Sequence, residues 1–298
     1  MTNNQKFNEK ITIIIVMYEE SFDLICKTLE KITNFKKIII DNAGDINIKN
    51  NIISKFAVDK YVSNKKNIGF SAGYNQGLKL SETEFTLVLG PDCKISEESI
   101  FLLFSKFIKY PDSLIVSPTS YDESGSLTYS GGPLPENGEK NLTLRIDGDV
   151  CVESALGACM FFKTSELIDN NLFFDENLFL YFSDDDLCRR IGRVNRSIIQ
   201  IFDAKCVHQH GTLKVRNKLK NIYVREYYMT YDKFYYFFKI NKHHDLISSF
   251  RKRFLLLVFK LFIKILTLQI SDAVKIFSRL FAYVSFMLRF IWRDGRVA

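Results

Sequence analysis

Between Phe174 and Arg190 the chain sets Asp175, Glu176, Asp184, Asp185 and Asp186 among Leu178, Phe179, Leu180, Tyr181 and Phe182, and then supplies Arg189 and Arg190. Clustered carboxylates repel one another and are costly to desolvate, so in an apolar segment they need a counter-charge, a metal ion or a proton to move. The other interpretation is a solvated first helical turn, where aspartates meet the helix dipole favourably. Further chemistry-bearing residues lie elsewhere: Asp41 and Asp92, each after a short apolar run, and His208 and His210 flanking Gln209. A neutral imidazole at a strand end is a ready metal ligand, although a lone histidine is more often structural. The stretch Asn67-Ile68-Gly69-Phe70-Ser71-Ala72-Gly73-Tyr74-Asn75-Gln76-Gly77 carries glycines that would let backbone approach a ligand. A dinucleotide fingerprint, however, places its glycines after the first strand and an acid about twenty residues on. Here they follow the third strand region, which argues against a dinucleotide-dependent oxidoreductase.

These residues need strand ends and helix starts to hold them. Ile11 to Met17 is an unbroken, β-branched apolar run, as a strand buried on both faces requires, and similar runs occur at Lys37 to Asp41, Phe85 to Leu89 and Leu114 to Ser117. Helical patterns at Phe22 to Thr33 and Ile48 to Phe56 fall between them. Alternating β and α units predict an α/β, doubly wound, Rossmann-like sheet with ligands outside the carboxyl ends of its strands, where Asp41 and Asp92 fall. Ser117 to Gly148, rich in Gly, Pro and Ser, predicts loops or a hairpin. Strand patches resume at Ala158 to Lys163, Ile198 to Ile201 and Lys205 to His208, and after Thr212 the pattern is helical: Asn221 to Ile240, Ser248 to Ile270 and Ser271 to Phe290.

The chain has 298 residues and a net charge of +7, unevenly spread. From Lys214 onward it holds 18 Lys and Arg against 5 Asp and Glu, whereas the preceding part is net acidic. A basic tail suits nucleic acid or an anionic membrane, and its apolar helices favour the membrane and argue against nucleic acid. Phe254 to Ile270 is apolar enough to raise the question of a membrane span, but Lys260, Lys264, Thr267, Ser271 and Lys275 recur at helical spacing. One polar stripe of that kind predicts a helix lying in a membrane interface or packed as a core or oligomer contact, rather than one crossing a bilayer. The six cysteines include no C-x-x-C pair, and Met1 to Lys10 lacks the basic-then-apolar order of a signal peptide. Both features lead to the expectation of a cytoplasmic protein at the inner face of the cytoplasmic membrane.

Taken in order, the first strand ending at Tyr18, Ile40-Asp41-Asn42, Asn67-Ile68-Gly69-Phe70 with Gly73, Asn75 and Gly77, Leu89-Gly90-Pro91-Asp92, Gly157-Ala158, Phe174-Asp175-Glu176, Tyr181 to Leu187 and Val207-His208 form a specific series. From Ile11 to about Tyr236 the chain resembles the inverting glycosyltransferases of family 2 with the GT-A fold, especially their bacterial rhamnosyltransferase-like branch. The resemblance implies a GT-A domain over 1–212, followed by a basic amphipathic helical region over 213–298. It implies a donor site of Tyr18, Asp41, Asn67, Gly69, Phe70, Gly73, Asn75 and Asp92, with Asp41 accepting the imide N–H of a pyrimidine base. Asp92 matches the last acid of the family's D-x-D-like motif, whose first position is Gly90 here. A divalent cation, Mn²⁺ or Mg²⁺, would then rest on Asp92 with the diphosphate and His208 or His210. Asp184 matches the catalytic base of a Glu-Asp motif whose Glu is Ser183 here; Gly157, Ala158, Asp185, Asp186 and Arg189 would support it or the acceptor. The implied reaction moves rhamnose from dTDP-rhamnose, or a hexose from a UDP-sugar, onto a saccharide or lipid-linked acceptor in bacterial surface-polysaccharide (capsule or O-antigen) assembly. Gly90 and Ser183 motivate one alternative, an inactive binding or assembly subunit; the pyrimidine-binding half motivates another, a nucleotidyltransferase.

Overall fold

A computed structural model describes residues 7–139, 145–209 and 217–292. The chain divides into two compact units, Met1–Glu176 with Ser183–Lys214, and Asn177–Phe182 with Val215–Ala298.

In the first unit, strands β1 (Ile11–Met17), β2 (Lys36–Asp41), β3 (Lys60–Ser63) and β4 (Phe85–Leu89) alternate with helices α1 (Phe22–Leu29), α2 (Ile46–Lys55) and α3 (Phe70–Leu80). These strands pair in parallel in the order β3-β2-β1-β4. All seven residues of β1 are buried, and they alternate between two cores: Ile11, Ile13, Ile15 and Met17 on one face, Ile14 and Val16 on the other. A strand sandwiched in this way reads as continuous rather than alternating hydrophobicity. Helix α1 stops at Leu29 instead of running to Thr33. The carbonyls of Ile32, Thr33 and Phe35 turn inward to accept from the Lys37 ammonium at 3.3, 2.9 and 2.6 Å, which satisfies a lysine that is otherwise buried.

The second half of the sheet is mixed rather than uniformly wound. It comprises β5 (Cys93–Ile95), β6 (Ser113–Tyr121), the short β8 (Val150–Cys151), β10 (Cys159–Lys163) and β11 (Ser197–His208), while β7 (Gly131–Gly132) and β9 (Ser154–Ala155) pair as a separate two-stranded sheet. Helices α4 (Glu97–Lys109), α5 (Thr164–Asp169) and α6 (Ser183–Arg193) join them. Strand β10 lies antiparallel between β4 and β6. A parallel neighbour needs a crossover to the opposite end of the sheet, and no helix is described between Tyr121 and Cys159, so the chain re-enters from the end at which β6 left. Ile198–Ile201 and Lys205–His208 belong to one strand, with a register shift against β6 between them.

The second unit contains α7 (Lys218–Lys239), α8 (His244–Leu266), α9 (Ile270–Phe286) and a π-helical turn, Met287–Trp292. Its core is aromatic, with Tyr231, Phe234, Tyr283 and Phe286 packed with Ile247, Met287 and Ile291. The single polar stripe expected through Lys260, Lys264, Thr267, Ser271 and Lys275 does not form, because the helix ends at Leu266 and Leu268 adopts a left-handed φ of 55°. Lys264 instead reaches across that turn to Asp272 at 3.3 Å, and Lys275 meets the same carboxylate at 3.3 Å. Among the described residues no helix is long and apolar enough to cross a membrane.

Candidate active site

Parallel pairing aligns Met17 with Asp41, Asp41 with Ser63, and Ile15 with Leu89, so Tyr18, Asn42, Asn64 and Gly90 leave the sheet along one edge. That edge is knitted by side-chain amides. Asn42 donates to the Gly69 carbonyl at 3.0 Å and accepts from Asn64 at 2.9 Å, and Asn64 also donates to Gln76 at 2.9 Å. Asp41 is fully buried; its Oδ1 accepts from the N–H groups of Ala43 and Gly44 at 2.8 and 2.9 Å, and its Oδ2 from the Tyr61 hydroxyl at 3.0 Å. These bonds shape the turn, and a carboxylate with about four lone-pair sites keeps one acceptor position beyond them. Burial and the Asp41 charge push the Tyr61 phenol well above its usual range, so it acts as a donor.

The glycine segment divides into two roles. Asn67 accepts from the Gly69 N–H at 2.9 Å, and Gly69 starts α3 at a φ of 89° that a side chain would strain. Phe70 lies edge-on to Tyr74, with ring centroids 4.3 Å apart. Gly73 and Gly77 instead face β1: a Cβ at either would come within 2.7 Å of Val16 or 2.4 Å of Ile14. They permit α3 to approach the sheet, which is a packing role rather than backbone approach to a ligand. Asn75 is likewise buried, exchanging hydrogen bonds of 2.9 Å with both backbone groups of Phe174 and donating to Glu176 at 2.9 Å.

Asp92 follows β4 in a tight turn held by the Gly90 N–H on the Ala158 carbonyl at 2.7 Å and by the Thr28 hydroxyl on the Pro91 carbonyl at 2.8 Å. A Cβ at Gly90 would lie 3.0 Å from Asp92 Oδ1 and 3.1 Å from Cys93 Sγ, so the missing first acid of the motif coincides with a crowded position. Strand β11 pairs His208 with Cys93, which brings His208 Nε2 to 3.4 Å from Asp92 Oδ1. One ligand atom each from Asp92, Cys93 and His208 lie within 4.8 Å of one another. Carboxylate oxygen and imidazole nitrogen fit a divalent cation such as Mn²⁺. Cys93 belongs to the core, and burial holds its thiol well above the usual range. His210 lies outside the described residues.

Asp184 sits in the first turn of α6, where its Oδ2 accepts from the Gly157 N–H at 3.0 Å and its Oδ1 from the Asp185 N–H at 3.1 Å. A Cβ at Gly157 would come within 3.0 Å of the Asp184 side chain, so glycine is what seats this carboxylate. Gly157-Ala158 therefore links the two centres, since Gly157 holds Asp184 while Ala158 holds Gly90. The neighbouring acids are engaged elsewhere: buried Asp185 accepts from the Ser154 hydroxyl at 2.6 Å, and Asp186 pairs with Arg190 at 2.9 Å. Arg189 pairs not with this acid cluster but with Glu136 at 2.8 Å. Glu136 on the loop after β7 is thus a partner that the sequence pattern did not single out.

Glu20 was also not singled out, although its position two residues beyond Tyr18 at a strand end was a usable signal. Its carboxyl accepts from the Tyr18 N–H, and Glu19 before it is left-handed, with φ 61°. Burial pushes the Glu20 pKa up to about 8 against that hydrogen bond, and the charges of Asp92 and Asp41 add to the rise. That edge of the sheet thus gathers the carboxyl groups of Glu20, Asp41 and Asp92, a setting that a cation would complement.

The model of the family described as "Glycosyl transferase family 2" matches residues 12–165. The low-salt glycan biosynthesis hexosyltransferase Agl10 of Haloferax volcanii is 25% identical over 229 residues, covering 71% of either chain. Among solved structures, the mannosyltransferase PcManGT from Pyrobaculum calidifontis, in complex with GDP-Man and Mn²⁺, superposes with a TM-score of 0.56 at 12% identity, covering 97% of this chain and 89% of that one. GalNAc-T7 with UDP, GalNAc and Mn²⁺ superposes with a TM-score of 0.55 at 14% identity over 75% of this chain. The match covers 49% of GalNAc-T7, about half its length. At these identities the structural likeness is one of fold.

Proposed function

The chain belongs to glycosyl transferase family 2 and is a glycosyltransferase, and from that premise we propose that it moves a hexose, with inversion, from a uracil or thymine nucleoside-diphosphate donor to a saccharide or lipid-linked acceptor in glycan assembly. The observation that carries this is the seating of Asp184 on the Gly157 N–H, next to the turn that presents Asp92. Both oxygens of the Asp184 carboxylate accept backbone N–H groups, which fixes its orientation at the start of the helix. Asp184 takes the proton from the acceptor hydroxyl as that oxygen attacks the anomeric carbon from the face opposite the nucleotide. Asp92 and His208 would hold the divalent cation, which when bound neutralises charge on the diphosphate. Asp41 turns its remaining acceptor position to the base N–H, and Asn42 and Asn64 keep that turn in shape. The likeness to Agl10 supports a hexose and a role in glycan biosynthesis; dTDP-rhamnose and UDP-hexoses are the donors to try first.

A thermal-shift screen tests the donor class. With Mn²⁺ present, UDP- and dTDP-sugars raise Tm and GDP-sugars do not; a ligand at about 100 times its Kd adds about 2.7 kcal/mol. Release of the diphosphate in the presence of acceptor then separates an enzyme from a subunit that only binds. Binding without turnover would favour the inactive homologue, and release of pyrophosphate from a nucleoside triphosphate would favour a nucleotidyltransferase.

We place the enzyme at the inner face of the cytoplasmic membrane, held there peripherally by the second unit. Leu255, Phe259, Phe262 and Leu266 recur along one face of α8 and are 80%, 60%, 59% and 65% exposed. Arg251, Lys252, Arg253 and Lys260 on the same helix are exposed as well. An apolar stripe flanked by cations suits an anionic lipid surface, where each basic residue adds about 1 kcal/mol. The protein is expected to co-sediment with phosphatidylglycerol-containing vesicles, less so in high salt, and Phe259→Asp with Phe262→Asp abolishes this. Self-association of the wild type without vesicle binding would reassign the face to an oligomer contact.

A further inference from the structure

Asp232, in the middle of α7, is 0% exposed and plays no part in the site described above. Its carboxylate accepts three successive backbone N–H groups, those of Phe179, Leu180 and Tyr181, at 3.3, 2.9 and 2.9 Å. Burial pushes its pKa up to about 7 although those bonds pull the other way, so the arrangement is held at the expense of desolvating a charge. One turn before it, Tyr228 stacks on Phe179 with centroids 4.0 Å apart and planes at 13°. One turn after it, Tyr236 packs with Leu178 and Phe182. Residues 228, 232 and 236 recur every four positions and share one face of the helix. A single stripe of α7 therefore holds every residue from Leu178 to Phe182. At the end of that segment Phe182 is left-handed, with φ 62°, a conformation that costs a non-glycine residue about 1–2 kcal/mol and persists only where surroundings impose it. The next two residues in the chain are Ser183 and Asp184.

We propose that Tyr228, Asp232 and Tyr236 form a positioning device for Asp184, fixing through the covalent chain the backbone from which α6 and its first-turn carboxylate begin. An apolar residue at 232 would fill the same space without a desolvation penalty, whereas a carboxylate binds three N–H groups at once and admits one backbone geometry for 179–181. The inference rests on Asp184 being the base.

Asp232→Asn keeps the size of the side chain but turns an amide NH₂ toward the N–H groups. In the full-length protein, hydrogen exchange is expected to quicken by about tenfold or more at the amides of 179–181 and in the first turn of α6, and to stay unchanged in β1 and β4. Turnover of the nucleotide hexose that the wild type uses falls by about 10²-fold, the scale carried by a misplacement of about 1 Å, while KM for that donor and the Tm shift with UDP or dTDP are kept. Faster exchange confined to 179–181, with normal turnover, would make Asp232 merely structural and overturn the proposal, as would unchanged exchange. If Asp232→Asn does not fold, Tyr228→Ala, which removes only the partly exposed stack, is judged by the same two measurements. A wild type that turns over no nucleotide sugar would sink the role of Asp184 as base, while exchange in the first turn of α6 would still decide whether the stripe positions it.

Discussion

Asp184→Asn is expected to lower turnover by about 10²–10⁴-fold, the usual contribution of a general base, while leaving nucleotide binding intact. The amide is nearly isosteric, and its one carbonyl oxygen can keep the bond from the Gly157 N–H while its NH₂ replaces the oxygen that met the Asp185 N–H, so the first turn of α6 stays anchored to Gly157. What it loses is the capacity to take a proton. Single-turnover rates with saturating donor, read beside a UDP or dTDP thermal shift, check this. The neighbouring acids supply internal controls. Asp185 is closed off by Ser154 and Asp186 by Arg190, so their amide variants should lower thermal stability more than turnover. An inert Asp185→Asn or Asp186→Asn enzyme that still folded and bound nucleotide, beside an active Asp184→Asn, would assign the base one or two residues further on.

Removal of the cation is expected to have an effect of similar size. Excess chelator abolishes turnover, Mn²⁺ restores it, and Asp92→Asn lowers it by about 10²–10³-fold, the range seen when one preorganised group facing developing charge is lost. Without a metal the diphosphate would enter an edge that already holds the carboxylates of Asp41 and Asp92, so nucleotide affinity should fall as well. Titration calorimetry of UDP or dTDP with and without Mn²⁺ measures that second effect separately from turnover. His208→Ala should weaken Mn²⁺ binding less than Asp92→Asn, because it removes a neutral ligand and leaves the charge in place. Full activity in chelator would exclude a metal requirement, and a metal-responsive Asp92→Asn enzyme would move the site away from β4.

The sequence by itself determined the family and the longer strands, though not the short β5, β7, β8 and β9. Unbroken β-branched runs are legible because a strand covered on both faces has no polar side to interrupt it, and β1 and β4 end where their runs end. The placing of Asp41 and Asp92 at strand ends followed from the same runs, because ligands of such sheets gather there whatever the chemistry. The tertiary structure decided what each conspicuous residue does. Gly73 and Gly77 match a phosphate-cradle pattern, but their missing side chains are taken up by Val16 and Ile14, and no local signal separates a glycine that admits a ligand from one that admits a neighbouring strand. Asn75 is committed to Phe174, far along the chain, and Asp41 gives three of its acceptor positions to its own turn and to Tyr61. Arg189 and Arg190, adjacent in sequence, point to different acids, since neighbouring helical residues do not face the same way. The lysine stripe failed for the opposite reason: helical spacing was extrapolated through residues 267–269, and one left-handed leucine ended the register. Segment 177–182 is the clearest case. Its aromatics look like the flank of an acid cluster, yet its contacts are with α7, about fifty residues later, and only a folded chain brings three consecutive N–H groups onto one buried carboxylate.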